Sequence, residues 1–240
     1  MISRTGYAIV TLDGVTWSDA GHASLTELLG CTECAVDGYR TTTDASVRLP
    51  NTREAICVPV EASGTVDTLD DGQDGMRVSQ YAIGRVPAGT GAELSSAGRT
   101  TWIVVTAAAD SDPDGSCTAV DVGDVEFSVP ETSDVPIARL TARLGCTGTK
   151  VNYRRLAPGS SVPYHTEGTQ EELFVPLDGP GTVRVDGATH SVSAGDVVRV
   201  APETPRAAEN DGEDHRLWLM VGAPPTGGPD EWDPGAEILE

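Results

Sequence analysis

Short alternations of apolar and polar residues dominate the chain and predict β-strands in both halves. Thr182-Val183-Arg184-Val185-Asp186 has an apolar side chain at every second position, and the turn-forming pairs Asp178-Gly179 and Asp186-Gly187 interrupt such runs. Helical periodicity is confined to two short amphipathic stretches, residues 23–32 and 137–146. Many strands with few helices predict an all-β protein made of sandwiches or jelly-roll barrels.

Four sequence phrases occur twice in the same order, which indicates a tandem duplication. Their offsets lie between 114 and 117 residues, and each copy begins with one of the short helical stretches. The paired phrases start at Leu25 and Leu140, Val58 and Val175, Arg85 and Arg199, and Trp102 and Trp218. A polar, turn-forming segment from Asp110 to Gly115 separates the copies, so we predict domains over residues 1–112 and 113–240.

The residues with the clearest chemistry lie between Gly159 and Gly179. His165 and Glu167 are two positions apart, so on an extended segment their side chains point to the same face. A turn containing glycine at residues 168–170 would bring Glu172 back beside them. One imidazole and two carboxylates that converge are suitable ligands for a first-row divalent metal.

This segment resembles the first motif of the cupin family, G-x5-H-x-H-x3,4-E-x6-G. Gly159, His165, Glu172 and Gly179 match the motif, and Glu167 stands where the family usually has its second histidine. The resemblance implies two tandem cupin jelly-roll barrels with one short helix each, an arrangement called a bicupin. It also implies a metal site formed by His165, Glu167 and Glu172, for which Mn²⁺, Fe²⁺, Ni²⁺ and Zn²⁺ are all suitable.

Residues 195–210 resemble the second cupin motif, G-x5-P-x-G-x2-H-x3-N. Gly195 and Asn210 match, but Glu203 replaces the second glycine and Arg206 replaces the last metal-binding histidine. A guanidinium stays protonated and has no acceptor, so Arg206 cannot ligate a cation. Its charge could instead balance the neighbouring carboxylates.

Two functions are compatible with this site. The first is a largely non-catalytic bicupin that binds a small anionic metabolite in its second barrel, with Arg206 as the clamp and Tyr164 and His165 as further contacts. The alternative is a metal-dependent oxygenase, isomerase or hydrolase in which His165, Glu167 and Glu172 hold the metal. A hydrogen-bonded network without metal and a purely structural role also stay open.

The first half lacks these residues. Glu172 aligns with Ala55 and Arg206 with Ala92, and no histidine is found opposite His165. We therefore expect the barrel over residues 1–112 to be a structural partner without a metal, although its interior could still bind a small ligand.

Composition narrows the range of partners. The net charge is −21, and Lys150 is the only lysine among the 16 basic residues. Such a surface repels nucleic acid and anionic membranes, and its self-repulsion is tolerable where salt screens it. The acidic, lysine-poor chain resembles proteins of haloarchaea that accumulate salt, and we expect it in the cytoplasm. No apolar run is long enough to span a membrane. A small molecule is the expected partner, and a homodimer stays open.

Two further motifs, a cysteine pair and an acidic loop, contain residue types that bind metals in other proteins. Five cysteines are expected to be reduced thiols, and Cys31-x-x-Cys34 could be half of a zinc site, a redox pair or, as we favour, a packed position of the fold. Asp110, Asp112, Asp114 and Asp121 resemble an EF-hand loop. Predicted strands flank that loop, so a plain acidic turn is the preferred interpretation.

Overall fold

A computed structural model describes residues 1–69, 75–110, 115–229 and 231–239. The strands before the predicted boundary are β1 (Ile2–Arg4), β2 (Tyr7–Val10), β3 (His22–Ser24), β4 (Cys34–Thr41), β5 (Val47–Arg48), β6 (Glu54–Pro59), β7 (Gly64–Thr68), β8 (Met76–Val78), β9 (Ile83–Val86), β10 (Ala92–Ser95) and β11 (Thr100–Ala107). Those after it are β12 (Thr118–Val120), β13 (Ile137–Arg139), β14 (Lys150–Leu156), β15 (His165–Thr166), β16 (Glu171–Pro176), β17 (Gly181–Val185), β18 (Ala188–Val192), β19 (Val197–Val200), β20 (Arg206–Glu209), β21 (Arg216–Ala223) and β22 (Glu237–Ile238).

Helical structure in the described ranges is limited to α1 (Thr26–Leu29), α2 (Thr141–Leu144) and two 3₁₀ turns, Leu12–Gly14 and Val122–Asp124. Both α-helices are shorter than the sequence pattern predicts. Strands β3 and β13 occupy the first part of each predicted helix, and a glycine with positive φ, Gly30 or Gly145, ends it. No helix in the described residues is long and apolar enough to cross a membrane.

The strands form two tandem barrels, which confirms the predicted all-β, jelly-roll architecture. Equivalent strands follow the same order in both barrels, and β1 and β22 are additional edge strands of the carboxy-terminal barrel. In the amino-terminal barrel, a sheet ordered β12-β9-β6-β11-β4-β3 packs on a sheet ordered β5-β10-β7-β8. In the carboxy-terminal barrel the corresponding orders are β1-β2-β19-β16-β21-β14-β13 and β18-β17-β20-β15-β22. The strands that carry repeated phrases, such as β11 and β21, occupy equivalent central positions.

The barrels exchange strands across the sequence boundary. Strand β2 pairs with β19 of the carboxy-terminal barrel, and β12 pairs with β9 of the amino-terminal barrel. The boundary between residues 112 and 113 stays a prediction, because residues 111–114, which include Asp112 and Asp114 of the EF-hand-like loop, lie outside the described residues. The exchange means that each barrel is completed by the other half of the chain.

Alternation along the strands separates three apolar cores among the described residues. One core lies between the barrels and takes residues from both, for example Val58, Val105, Leu173 and Val221. The other two fill the barrel interiors, one around Trp102 and the other around Trp218. Each of these tryptophans places the edge of its indole ring against a glycine in the opposite sheet of its barrel. A Cβ on Gly64 would lie 2.1 Å from Trp102 Cζ2, and one on Gly181 would lie 2.3 Å from Trp218 Cζ2, so only glycine fits.

Two buried glutamates join the barrels reciprocally. Glu54 accepts a hydrogen bond from Arg85 of its own barrel at 3.3 Å and from the backbone amide of Thr147, in the other half, at 2.9 Å. Its counterpart Glu171 repeats the arrangement with Arg199 of its own barrel at 2.7 Å and with an amide of the first half at 3.1 Å. Both carboxylates are fully buried, so each depends on these partners.

Candidate functional site

The structure brings the three predicted metal ligands together inside the carboxy-terminal barrel. His165 lies on β15 and Glu172 on β16, while Glu167 begins the turn between them. His165 Nε2 lies 3.4 Å from Glu167 Oε1 and 3.8 Å from Glu172 Oε2. One ligand atom from each residue lies within 4.8 Å of the others. Strand β16 turns Glu172 inward and Glu171 toward the other barrel, because consecutive side chains alternate in direction.

The tautomer of His165 is fixed by its neighbour in the chain. Its Nδ1 lies 2.7 Å from the carbonyl oxygen of Pro163, which can only accept a hydrogen bond. Nδ1 therefore carries a proton, and in the neutral ring Nε2 presents its lone pair to two carboxylates. Three acceptors that face one another need a proton or a cation between them. Metal–nitrogen and metal–oxygen distances of about 2.0–2.2 Å match this spacing, so the residues fit a divalent cation.

Glu167 is the most perturbed member of the cluster. Burial raises the pKa of its carboxyl to about 7, and the charge of Glu172 adds to the rise, while His165 and Arg206 oppose it. Asp233 lies within hydrogen-bonding reach of Glu167; burial opposes ionisation of Asp233, but hydrogen bonds from Gly235 and other donors hold its pKa below its usual range. Without a bound cation, Glu167 therefore holds a proton below about pH 7. A cation would take the place of that proton.

Arg206 lies in the wall of the barrel behind Glu172. Its side chain is fully buried, and its Nε donates to Glu172 Oε2 at 3.1 Å. Its other donors bind the backbone carbonyls of Thr204, Ala201 and Gln170. The structure does not place Arg206 where it could clamp a ligand, because protein acceptors already occupy these donors and it does not line the cavity. Its charge balances Glu172 and leaves the rest of the cluster uncompensated.

Tyr164 is also remote from the cavity. It precedes His165, so its side chain extends to the other side of the strand. There its hydroxyl accepts a hydrogen bond from the Gly187 amide at 2.9 Å, and the Arg184 guanidinium lies 4.1 Å from the centre of its ring. The expectation that Tyr164 contacts a ligand is not supported by this position.

A cavity of about 50 Å³ adjoins the cluster, and both cationic and acidic side chains line it. Lys150, Asn152 and Arg154 reach it from β14, and Arg139 reaches it from β13. These four residues were missed in the sequence. Three of them could have been predicted from the alternation of polar and apolar residues in Lys150-Val151-Asn152-Tyr153-Arg154. Because Val151 and Tyr153 lie in the core between the barrels, the polar residues point to the opposite face of the strand.

The carboxy-terminal segment closes one side of the cavity. Trp232 packs its ring edge-on against His165, with the ring centres 5.2 Å apart. Lys150 Nζ donates to the carbonyl oxygens of Thr226 and Glu231, both at 2.5 Å, and so ties this segment to β14. The pKa of Lys150 is lowered because its amine is buried, and acidic neighbours, led by Glu167, offset only part of that shift. No local sequence pattern signals that residues 231–233 return to the site.

The amino-terminal barrel has no equivalent cluster in its described residues. Ala55 and Ala92, which align with Glu172 and Arg206, are both buried in the apolar core around Trp102. That interior contains no group of metal-ligating side chains in the part of the chain described. The polar site is therefore confined to the second barrel.

Comparison with known sequences finds similarity in the part of the chain that contains His165, Glu167 and Glu172. Residues 152–222 match the family model described as a cupin domain. An uncharacterized protein of Methanocaldococcus jannaschii is 33% identical over 82 residues, which are 34% of this chain and 62% of that relative. The chain thus spans less than two thirds of that relative's length.

Solved structures share the fold over most of the chain. A putative glyoxylate-induced protein from Pseudomonas aeruginosa superimposes with a TM-score of 0.75 at 13% identity, covering 95% of this chain and 92% of that one. Protein YlbA from E. coli gives a TM-score of 0.73 at 14% identity and covers 93% of both chains. A variant of oxalate decarboxylase from Bacillus subtilis gives 0.70 at 12%, covering 100% of this chain and 80% of that one. The chain thus shares its fold with these structures, and residues 152–222 are similar to a cupin domain.

Proposed function

We propose that the carboxy-terminal barrel binds a small anionic metabolite beside a divalent cation, in a bicupin whose amino-terminal barrel is the structural partner. The observation that carries this proposal is a pair of unsatisfied groups of opposite charge around one cavity. Glu167 Oε2 and Arg154 Nε are both buried, and neither atom accepts or donates a hydrogen bond within the described part of the chain. A cation would satisfy the first, and an anion the second.

Arg154 is the group best suited to hold the anion. Its side chain is buried, and one nitrogen is anchored by the carbonyl oxygen of Val135 at 3.2 Å. Burial lowers its pKa to about 10 while Glu172 opposes that shift, so the guanidinium is charged at neutral pH. Lys150 and Arg139 line the same cavity and add positive charge.

The volume of the cavity limits the ligand. At about 50 Å³ it has room for only a few water-sized groups, since one water needs roughly 10–15 Å³ by this measure. We therefore expect a carboxylate or phosphate of very few heavy atoms. It would lie between the cation held by His165, Glu167 and Glu172 and the guanidinium of Arg154.

Calorimetric titration of cation-loaded protein with small carboxylates and inorganic phosphate tests the anion contact. The panel includes oxalate and glyoxylate, which are named in two proteins of the same fold. Arg154→Gln should weaken binding roughly 10–100-fold, because a buried charged hydrogen bond is lost. Arg155→Gln is the matched control, since this neighbour on β14 is exposed. Equal affinity in Arg154→Gln and the wild type would contradict the proposal.

Titration of chelator-treated protein with Mn²⁺ tests the cation site. Mn²⁺ prefers oxygen and nitrogen ligands over thiolates, so it reports on this cluster. We expect one bound ion per chain, lost in His165→Ala and in Glu172→Gln. Retention of the ion in both variants would show that the cluster does not bind it.

A second candidate is a metal-dependent enzyme, and one observation favours it. Three protein ligands leave coordination positions free for a substrate. When bound, the cation would polarise the substrate. Cation-dependent turnover of a ligand from the panel, abolished in His165→Ala, would establish this function over simple binding.

A further inference from the structure

A second set of convergent ligands lies between the barrels, outside the cavity. Cys31 and Cys34 follow helix α1, and Glu171 begins strand β16 of the other barrel. Both sulfur atoms and a carboxylate oxygen lie within 4.8 Å of one another. Cys34 Sγ donates to Glu171 Oε1 at 3.2 Å, and both residues are buried. The sequence alone showed the two thiols but not the carboxylate.

The other half of the duplication shows what this position needs for packing alone. Cys146 corresponds to Cys31, and Thr149 corresponds to Cys34. Thr149 Oγ1 donates to Glu54 Oε1 at 2.8 Å, as Cys34 does to Glu171. A hydroxyl is therefore sufficient for the contact between the barrels. The second thiol must be explained by something other than packing.

The charges around Glu171 also favour a cation. Arg199 Nε and Nη2 lie 2.7 and 2.5 Å from Oε2, so Oε1 is left to face the thiols. With both thiols protonated, Glu171 and Arg199 make a neutral pair. A divalent cation would add two positive charges. The two thiols would lose their protons to solvent and become thiolates with two negative charges, so the buried site would stay neutral.

We propose that Cys31, Cys34 and Glu171 bind a thiophilic divalent cation of the zinc type, which links the two barrels. Two thiolates and one carboxylate are accepted zinc ligands, and zinc prefers this set to the oxygen-rich cavity cluster. Cys31 is only half-buried, so a water can reach the fourth position. The ion would fix the segment after α1 to strand β16 and so strengthen the contact between the halves.

Cobalt provides a direct test, because thiolate ligands give Co²⁺ a charge-transfer absorption that carboxylates and histidine do not. Reduced, chelator-treated protein is titrated with Co²⁺ alone and then with Zn²⁺. We expect one equivalent of the thiolate band, and its loss when Zn²⁺ displaces the cobalt. Cys31→Ser and Cys34→Thr should each weaken binding at least about 100-fold, because each removes a ligand outright.

Three variants make the result decisive. Cys34→Thr copies the arrangement at Thr149, so it should fold, and cation-free unfolding curves of the variant and the wild type should agree. Cys146→Ser and His165→Ala should keep the band, which separates this site from the cavity cluster. A wild type without the band, or a band that survives Cys31→Ser, would overturn the proposal.

Discussion

At the scale of single residues, the proton on Glu167 links the cluster to pH. The carboxyl is almost fully buried and its pKa is raised to about 7, chiefly by desolvation. The folded protein therefore keeps a proton that the unfolded chain loses at about pH 4.5. His165 Nε2 and the carboxylate of Glu172 face the same point, so loss of the proton leaves negative charge that a cation can neutralise.

We expect the free energy of unfolding of the cation-free protein to fall as pH rises from about 4.5 to 7. Over this window the folded state binds more protons than the unfolded state, so stability falls by about 1.4 kcal/mol per pH unit and by roughly 3 kcal/mol in all. Below this window the contribution is fully present, and above it the contribution is lost. Urea unfolding at several pH values measures the slope.

The matched variant is Glu167→Gln, which has no titrating group at this position. Subtracting its pH profile from that of the wild type isolates Glu167, and identical profiles would refute the assignment. Cation affinity of the wild type should rise up to tenfold per unit as pH approaches 7, because binding must expel the proton.

At the scale of elements, strand β2 contributes to a barrel that lies far from it in sequence. It pairs with β19 on one side and β1 on the other, and all four of its residues are buried. Its alternation sends Ile9 into the interior around Trp218 and Val10 into the core between the barrels. The apolar pattern of Tyr7–Val10 is readable from the sequence, whereas its partner strand is not.

Ile9→Ala should destabilise the protein by about 2–5 kcal/mol, because it leaves a cavity in a closed core. Ile2→Ala is the control. Ile2 is the register partner of Ile9 on β1, but it is 37% exposed, so a change within about 0.5 kcal/mol is expected. Denaturant unfolding followed by tryptophan fluorescence compares the two. Equal losses would mean that β2 is not packed into the carboxy-terminal barrel.

At the scale of the whole molecule, the barrels are joined by a large apolar core and by the reciprocal glutamates Glu54 and Glu171. Each glutamate neutralises an arginine of its own barrel and accepts an amide of the other. The charged groups at the junction are therefore buried only when the two halves of the chain are packed together. This arrangement, together with strand exchange, favours cooperative unfolding of the two halves.

Glu54→Ala should cost about 3–5 kcal/mol, because it leaves Arg85 buried beside amides that have lost their acceptor. Glu213→Ala changes the net charge by the same amount at an exposed position and should stay within about 0.5 kcal/mol of the wild type. Unfolding in urea measures both. A loss below 1 kcal/mol for Glu54→Ala would show that water reaches the junction.

The net charge of −21 leads to a prediction for the entire surface. Raising NaCl from about 0.1 to 1 M shortens the screening length from roughly 10 to 3 Å, so self-repulsion weakens and the melting temperature should rise. A neutral osmolyte at equal osmolality controls for exclusion of the solute from the surface. An equal rise in both solutions would attribute the effect to exclusion and not to charge.

Local spacing in the sequence was sufficient for the strands, the duplication and the cluster of His165, Glu167 and Glu172. Alternation along a strand fixes which side chains share a face, and a short turn leaves few ways to connect two strands. The same reasoning did not give the contacts of Arg206 and Tyr164. The motif identified these two residues, but it did not predict that Arg206 donates to Glu172 or that Tyr164 accepts from Gly187.

Only the tertiary structure decided which distant residues complete each site. Arg154, Lys150 and Asp233 reach the cavity because β14 and the carboxy-terminal segment pack there, and Glu171 reaches Cys31 and Cys34 because two barrels meet. No short sequence pattern predicts either of these contacts, because sheet order and strand exchange bring together segments that are distant in the chain. The sequence by itself determined the strands and the convergence of His165, Glu167 and Glu172, and the packing of two barrels determined what surrounds these residues.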